Sequence, residues 1–157
     1  MTAAALRPRT AARLCTVQAL YQIELAAIDP AEAIKQFLAH RIGHVIEGVD
    51  YRGADRALFR ALVSGTTSRL AEIDRLIAAN LVEGWALARL DRILRAILRA
   101  GAYELLAHAD VPVRVVISEY VDVAHGFLGG AEAGLVNGVL DKLGRELRAP
   151  ELEQRAP

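Results

Sequence analysis

The most informative stretch of the chain reads Val136-Asn137-Gly138-Val139-Leu140-Asp141-Lys142. Its apolar residues follow a helical period, yet an amide and a glycine stand where a plain core helix would carry leucine or alanine. Glycine in a helix interior costs about 1 kcal/mol relative to alanine. Gly138 therefore predicts either a close helix crossing or contact with a ligand.

Helical periodicity extends from this stretch over the whole chain, and we find no alternating strand pattern. The predicted helices span residues 9–27, 30–40, 54–80, 90–108, 112–128 and 132–148. The start of the second is marked by an N-cap, a proline and an acid in Asp29-Pro30-Ala31-Glu32. Helices with one-sided apolar stripes and short loops predict an all-α helical bundle of about six to seven helices.

The helical pattern is interrupted at Val82-Glu83-Gly84-Trp85. This break predicts a single domain over 9–148 that consists of two subdomains, about 9–81 and 86–148. Residues 41–53 are expected to form a loop. Residues 1–8 are expected to form a flexible basic arm, and residues 149–157 a frayed tail.

Composition restricts the classes of function. The 157 residues are 54% hydrophobic and carry no net charge, so any nucleic-acid-binding surface must be local. One cysteine excludes an internal disulfide, and no Cys/His cluster has zinc-ligand spacing. No apolar run approaches the roughly 18 residues of a membrane span, and arginines interrupt any signal-peptide core. We therefore expect a cytoplasmic protein without metal or cofactor.

Two further blocks accompany the first. One is Cys15-Thr16-Val17-Gln18-Ala19-Leu20-Tyr21, preceded by Arg9 and Arg13; the other is Arg99-Ala100-Gly101-Ala102-Tyr103-Glu104-Leu105, followed by Val111-Pro112-Val113. In this order and spacing, the three blocks resemble the NusB family of bacterial transcription antitermination factors, from about Arg9 to about Leu147.

The resemblance implies a fold and a function. The fold would be two packed three-helix subdomains. The function would be that of an adaptor that binds the boxA segment of single-stranded ribosomal-operon leader RNA together with the ribosomal protein NusE. This module would load onto the RNA polymerase elongation complex and suppress premature termination.

Arg7, Arg9 and Arg13 are candidate RNA-binding residues, with no acid nearby in the sequence. Arg9 and Arg13 would lie one helical turn apart, about 6 Å along the axis, which is comparable to phosphate spacing in an extended strand. The alternative is a solvated helix start. The resemblance implies an RNA-contacting arginine-rich stretch, although residues 10–12 are Thr-Ala-Ala where family members often carry more basic residues.

Gln18 and Tyr21 lie three residues apart on the first predicted helix. A glutamine amide can read a base edge, and a tyrosine ring can stack on a base or fill a protein interface. With the resemblance, we assign Gln18 and Asn137 to RNA and Tyr21 to NusE. Tyr21 could equally be a core residue, and Asn137 a packing residue. Leu135 replaces the aromatic residue usual in the family.

Other polar residues have structural explanations. Arg99 or Glu104 is expected to pair across the bundle, with Glu119 and Asp122 as natural partners on the next helix. Cys15 is expected in the core. His40 and His44 have i,i+4 ligand spacing with Glu47 beyond, but no fourth ligand is apparent, which argues against a metal site.

Two alternatives remain to the adaptor. The first is a protein-interaction module or homodimer of the same fold with weakened or lost RNA binding, which the reduced arginine stretch and Leu135 favour. The second is a fragment of an RNA cytosine methyltransferase, because NusB-like domains also precede such catalytic domains. Nothing in the sequence has the pattern of a catalytic constellation or a cofactor-binding α/β domain, so we predict no enzyme.

Overall fold

The computed structural model describes residues 4–154, with side chains from Ala5 to Glu151. The chain divides into two compact units, of which the first extends to Ser68 and the second begins at Arg69. Among the described residues the architecture is all-α, as predicted, with eight α-helices and a few very short strands.

Three helices form the first unit: α1 (Pro8–Ala26), α2 (Pro30–His40) and α3 (Arg56–Ser68). The predicted N-cap of α2 is confirmed, since Asp29 Oδ1 accepts a hydrogen bond from the Ala31 amide at 2.9 Å. Phe37 stacks on Phe59 with ring centroids 5.8 Å apart and thereby joins α2 to α3. Cys15 is buried in the same core, as expected.

A small sheet also belongs to the first unit. Its strands are β1 (Ala4–Ala5), β2 (Val45–Ile46) and β3 (Val49–Asp50), with β3 parallel to β1 and antiparallel to β2. Residues 41–53 and 1–8 therefore contain paired strands where the sequence predicted a loop and a flexible arm. Strands of two residues are too short to show the alternation of apolar and polar residues by which a strand is recognised in a sequence. The hairpin turns at Glu47 and Gly48, both with positive φ.

The helix predicted over 54–80 is two helices, because α3 ends at Ser68 and α4 (Leu70–Asn80) follows. Thr67 Oγ1 donates to the Val63 carbonyl at 2.9 Å, and Ser68 Oγ donates to the Gly65 carbonyl at 3.1 Å. Such local bonds compete with helical pairing. The two compact units meet in sequence at Ser68 and Arg69, whereas the sequence predicted a boundary at 82–85. Trp85 lies in a loop of the second unit before a 3₁₀ turn, Leu87–Arg89.

The second unit contains five helices among its described residues. Besides α4, they are α5 (Arg92–Ala107), α6 (Val113–Phe127), α7 (Gly130–Leu147) and α8 (Ala149–Gln154). The expected pairing across helices is confirmed for both residues, although Arg99 uses an acid that the sequence did not single out. Its Nε lies 2.8 Å from Asp74 Oδ1 on α4, while Tyr120 Oη on α6 donates to Glu104 Oε1 at 2.8 Å.

Close helix crossings in this unit occur at two glycines. A Cβ added to Gly144 would lie 2.8 Å from Val113 Cγ1, and one added to Gly101 would lie 2.8 Å from Leu140 Cδ1. A Cβ at Gly138 would meet nothing within 4 Å. The helix-crossing explanation of Gly138 is therefore wrong, and Gly138 faces open space.

The segment after residue 148 is helical through Gln154 and is bonded to the rest of the second unit at Arg148 and Glu151, whereas the sequence predicted a frayed tail. The buried Arg148 guanidinium donates to the carbonyls of Leu105 at 2.8 Å and His108 at 2.7 Å, and also to that of Val111. Glu151 accepts from the Val113 amide at 3.0 Å. These bonds satisfy carbonyls at the end of α5 and an amide at the start of α6. Over the described residues, no helix is long and apolar enough to cross a membrane.

Candidate nucleic-acid interface

The start of α1 carries an exposed pair of cationic side chains. Arg7 and Arg9 are exposed on either side of Pro8, which occupies the first helical position. The first turn of α1 contains no acidic residue, and Arg7 makes no side-chain capping bond. Positive charge at a helix N-terminus opposes the helix dipole, so these two arginines do not stabilise α1. They are available to an external anion.

Arg13 does not belong to this exposed group. Only 1% of its surface is exposed, because α1 is enclosed on nearly all sides from Ala11 to Leu20. Of the three arginines expected to form a basic patch, only Arg7 and Arg9 are therefore exposed.

Gln18 is engaged within the first unit instead of facing solvent. Its Nε2 donates to Tyr51 Oη at 3.3 Å, and its Oε1 is buried without a hydrogen-bond partner among the described residues. The Arg41 guanidinium lies 5.6 Å from the centre of the Tyr51 ring. Tyr51 and Arg41 thus position Gln18. Neither residue is predictable from the sequence as a neighbour of Gln18, since no periodic signal connects them to α1.

Tyr21 lies where α1 emerges towards the surface. Its side chain is half-buried, and Leu25, one helical turn further on, is 46% exposed. Tyr21 and Leu25 therefore form an apolar strip on one face of α1. Such a strip suits contact with a protein partner, and Tyr21 would be the anchor residue of that contact.

Asn137 is exposed on α7 in the second unit, and the glycines at 134 and 138 beside it are exposed as well. Neither glycine would bring a Cβ within 4 Å of a neighbouring atom. This part of α7 therefore presents the Asn137 amide on a surface without bulky side chains, where a ligand can approach the backbone.

A groove of about 230 Å³ adjoins this face of α7. It is lined by Gly134, Leu135, Gly138 and Lys142 of α7 together with Val82 and Trp85, among others. The Trp85 indole is 40% exposed, an unusual position for a large aromatic side chain without a partner. Trp85 was not among the predicted site residues, although a single tryptophan at a break in the helical pattern is a usable signal.

The next residues are His44 and Cys15, the candidates for metal binding and for a reactive thiol. His44 Nε2 lies 3.2 Å from the Ala39 carbonyl oxygen. Among the side chains that the structure describes, from Ala5 to Glu151, no three of His, Cys, Asp or Glu are grouped to hold a metal ion. Burial raises the pKa of the Cys15 thiol to about 12, which keeps it protonated at neutral pH.

The described residues form an all-α fold with candidate binding residues on the surface of each unit. The model of the NusB family matches residues 10–145, and the chain belongs to this family. It is 53% identical over 140 residues to the transcription antitermination protein NusB of Sphingopyxis alaskensis, covering 89% of this chain and 94% of the relative. The protein of the same name from Rhodopseudomonas palustris BisB18 is 49% identical over 146 residues, with 93% and 86% covered. The chain is accordingly an antitermination factor and not an enzyme.

Solved structures agree with the family assignment. NusB of T. maritima superposes with a TM-score of 0.76 at 29% identity, covering 98% of this chain and 99% of that one. A chain from a crystal structure of NusB and NusE in complex with double-stranded RNA has a TM-score of 0.74 at 24% identity, covering 90% and 98%. The latter similarity concerns the fold alone.

Proposed function

We propose that this chain binds boxA-type single-stranded leader RNA together with ribosomal protein NusE in the cytoplasm and loads the resulting module onto elongating RNA polymerase. The observation that carries the RNA half of this proposal is the exposed pair Arg7 and Arg9 at the start of α1, whose own first turn contains no acidic residue. Family membership supports the partners, and the solved complex shows another NusB together with NusE and double-stranded RNA.

Each unit carries candidate RNA contacts of its own. Arg7 and Arg9 neutralise phosphates, because the guanidinium fork matches phosphate oxygens. Asn137 reads a base edge, and the exposed Trp85 indole stacks on a base in place of the aromatic residue missing at position 135. Arg13 and Gln18 lie inside the first unit and influence RNA only by holding α1 in position.

NusE contacts the strip formed by Tyr21 and Leu25. Truncation of an interface ring commonly costs 2 kcal/mol or more in binding, whereas removal of a core ring costs about 3–5 kcal/mol in stability. Tyr21→Ala should therefore weaken NusE binding while the thermal melting temperature falls little. A large loss of melting temperature with unchanged NusE affinity would place Tyr21 in the core and leave NusE without this contact.

Salt dependence tests the RNA half of the proposal. Two arginines on single-strand phosphates give a slope of about −1.4 in a log–log plot of affinity against salt, from roughly −0.7 per contact. Arg7→Glu with Arg9→Glu should abolish this slope, while the control Arg114→Glu, at an exposed arginine of α6, should leave it unchanged. A wild-type slope steeper than about −5, or no effect of the double variant, would contradict the assignment.

The burial of Arg13 and the internal bond of Gln18 favour a second candidate, a NusB-fold interaction module or homodimer with weakened RNA binding. An RNA gel-shift with and without NusE separates the two functions. The adaptor shifts boxA RNA when NusE is present, whereas the interaction module does not shift RNA under either condition. Sedimentation of the chain alone decides whether it is a dimer.

A further inference from the structure

A second groove lies in the first unit, between α2 and α3, with a volume of about 610 Å³. We call it the α2/α3 groove; it is lined by Ala31, Ile34, Lys35, Leu38, Arg60 and Ser64, with Ala39 beside them. None of these residues belongs to the candidate nucleic-acid interface. The volume lies within the range of about 300–1,000 Å³ typical of ligand-binding clefts.

The floor of the α2/α3 groove is aliphatic and preformed. Ile34 and Leu38 lie one turn apart on α2, and both are half-buried against the core of the first unit. Beneath them, the stacked rings of Phe37 and Phe59 fix α2 against α3. An apolar group can therefore enter the groove without first ordering its walls, which lowers the cost of binding.

Each of the two helices that border this floor carries a positively charged side chain. Lys35 of α2 and Arg60 of α3 are exposed, and the residues that line the groove include no carboxylate. The nearest acid in the sequence of α2, Glu32, accepts a hydrogen bond from Gln36 at 3.4 Å. An occupant that matches this surface carries apolar side chains for the floor and acidic side chains for the two cations.

We propose that the α2/α3 groove docks an acidic amphipathic helix of a partner protein. A helix with apolar residues three and four positions apart fits a floor formed by residues at the same spacing. Flanking glutamates or aspartates would pair with Lys35 and Arg60. The lining of the groove contains no aromatic ring on which a base could stack, which disfavours single-stranded RNA as the occupant.

Two synthetic helical peptides with the same leucine spacing test this proposal, one flanked by glutamates and the other by lysines. Each is titrated into the full-length chain, isotopically labelled for NMR. We expect the acidic peptide to shift amide resonances of α2 and α3 and to bind about tenfold more tightly than the basic peptide. Equal binding of the two peptides, or shifts confined to other elements, would overturn the proposal.

Charge reversal sharpens the test. Lys35→Glu combined with Arg60→Glu should reverse the preference in favour of the basic peptide, whereas Arg114→Glu on α6 should leave it unchanged. Both substituted positions are exposed, so the variant should retain its melting temperature. Its affinity for boxA RNA should also match that of the unsubstituted chain. Displacement of the acidic peptide by a uridine-rich oligonucleotide would assign the groove to nucleic acid and overturn the proposal.

Discussion

Arg9 and Arg13 lie one helical turn apart on α1 and have opposite environments. Arg9 is exposed in the first turn, whereas Arg13 is buried where neighbouring elements enclose the helix. A buried guanidinium must be matched by polar groups, because an isolated charge in the interior is costly. The burial of Arg13 therefore favours a structural role, whereas the exposure of Arg9 leaves it accessible to a ligand.

Arg13→Ala should lower the free energy of unfolding by about 3 kcal/mol, because it removes a buried charged side chain from its polar contacts. Arg9→Ala should change it by less than about 0.5 kcal/mol and reduce the salt slope of RNA binding by roughly 0.7. Urea unfolding and RNA titration measure these effects. Equal stability losses for the two variants would show that burial does not distinguish them.

Asp50 at the end of β3 gives the fold a pH dependence. Bidentate hydrogen bonds from Arg52, at 3.0 and 2.9 Å, together with the Arg52 amide, lower the pKa of Asp50 from 3.8 to about 2. A carboxyl with a lowered folded-state pKa stabilises the fold above its unfolded-state pKa, and this contribution is lost as the pH falls towards the folded-state value.

Asp50→Asn should therefore destabilise the chain at pH 5, and the difference from the unsubstituted chain should shrink between about pH 4 and pH 2. Urea unfolding at several pH values measures this difference. Glu47→Gln, an exposed substitution in the same hairpin, should show a smaller change. A difference for Asp50→Asn that is constant with pH would contradict the role of the ion pair.

Helix α7 carries glycines of two different kinds. Gly144 lies against Val113 where α7 crosses the start of α6, whereas Gly138 is open to solvent beside Asn137. The cost of glycine in a helix is offset at Gly144 by close packing. At Gly138 no such packing offsets it, and this is the position at which a ligand could come close to the backbone.

Gly138→Ala should stabilise the chain by up to about 1 kcal/mol through helix propensity alone. Gly144→Ala should destabilise it by about 1 kcal/mol or more, because the new Cβ would lie 2.8 Å from Val113 Cγ1. Thermal melting of both variants gives the comparison. Stabilisation by both substitutions would mean that the helix crossing has room for a methyl group.

Most of the helices could be predicted from the sequence, because period and capping are local properties. Helix α2 begins and ends at the predicted residues, Pro30 and His40. The short strands and the break at Arg69 could not be predicted, since they depend on pairing and on side-chain bonds without a periodic signature. The burial of Arg13 and the bond between Gln18 and Tyr51 are tertiary effects, which the spacing along α1 does not contain.

The molecule as a whole carries no net charge, so its attraction to RNA depends on a few local groups. Two exposed arginines, an amide and an indole are a small set for tight binding by one chain. A partner that contributes a second surface to the same RNA would supply the missing affinity. Binding of RNA and of NusE should therefore be cooperative, and linkage requires each to strengthen the other by the same factor.

Calorimetry of NusE binding in the presence and absence of boxA RNA tests the adaptor function most directly. We expect RNA to tighten NusE binding by a factor of about 5–150, which corresponds to a coupling free energy of roughly 1–3 kcal/mol. The double variant Arg7→Glu with Arg9→Glu should lose this enhancement and still bind NusE in the absence of RNA. Identical NusE affinities with and without RNA would contradict the adaptor account and favour a protein-interaction module.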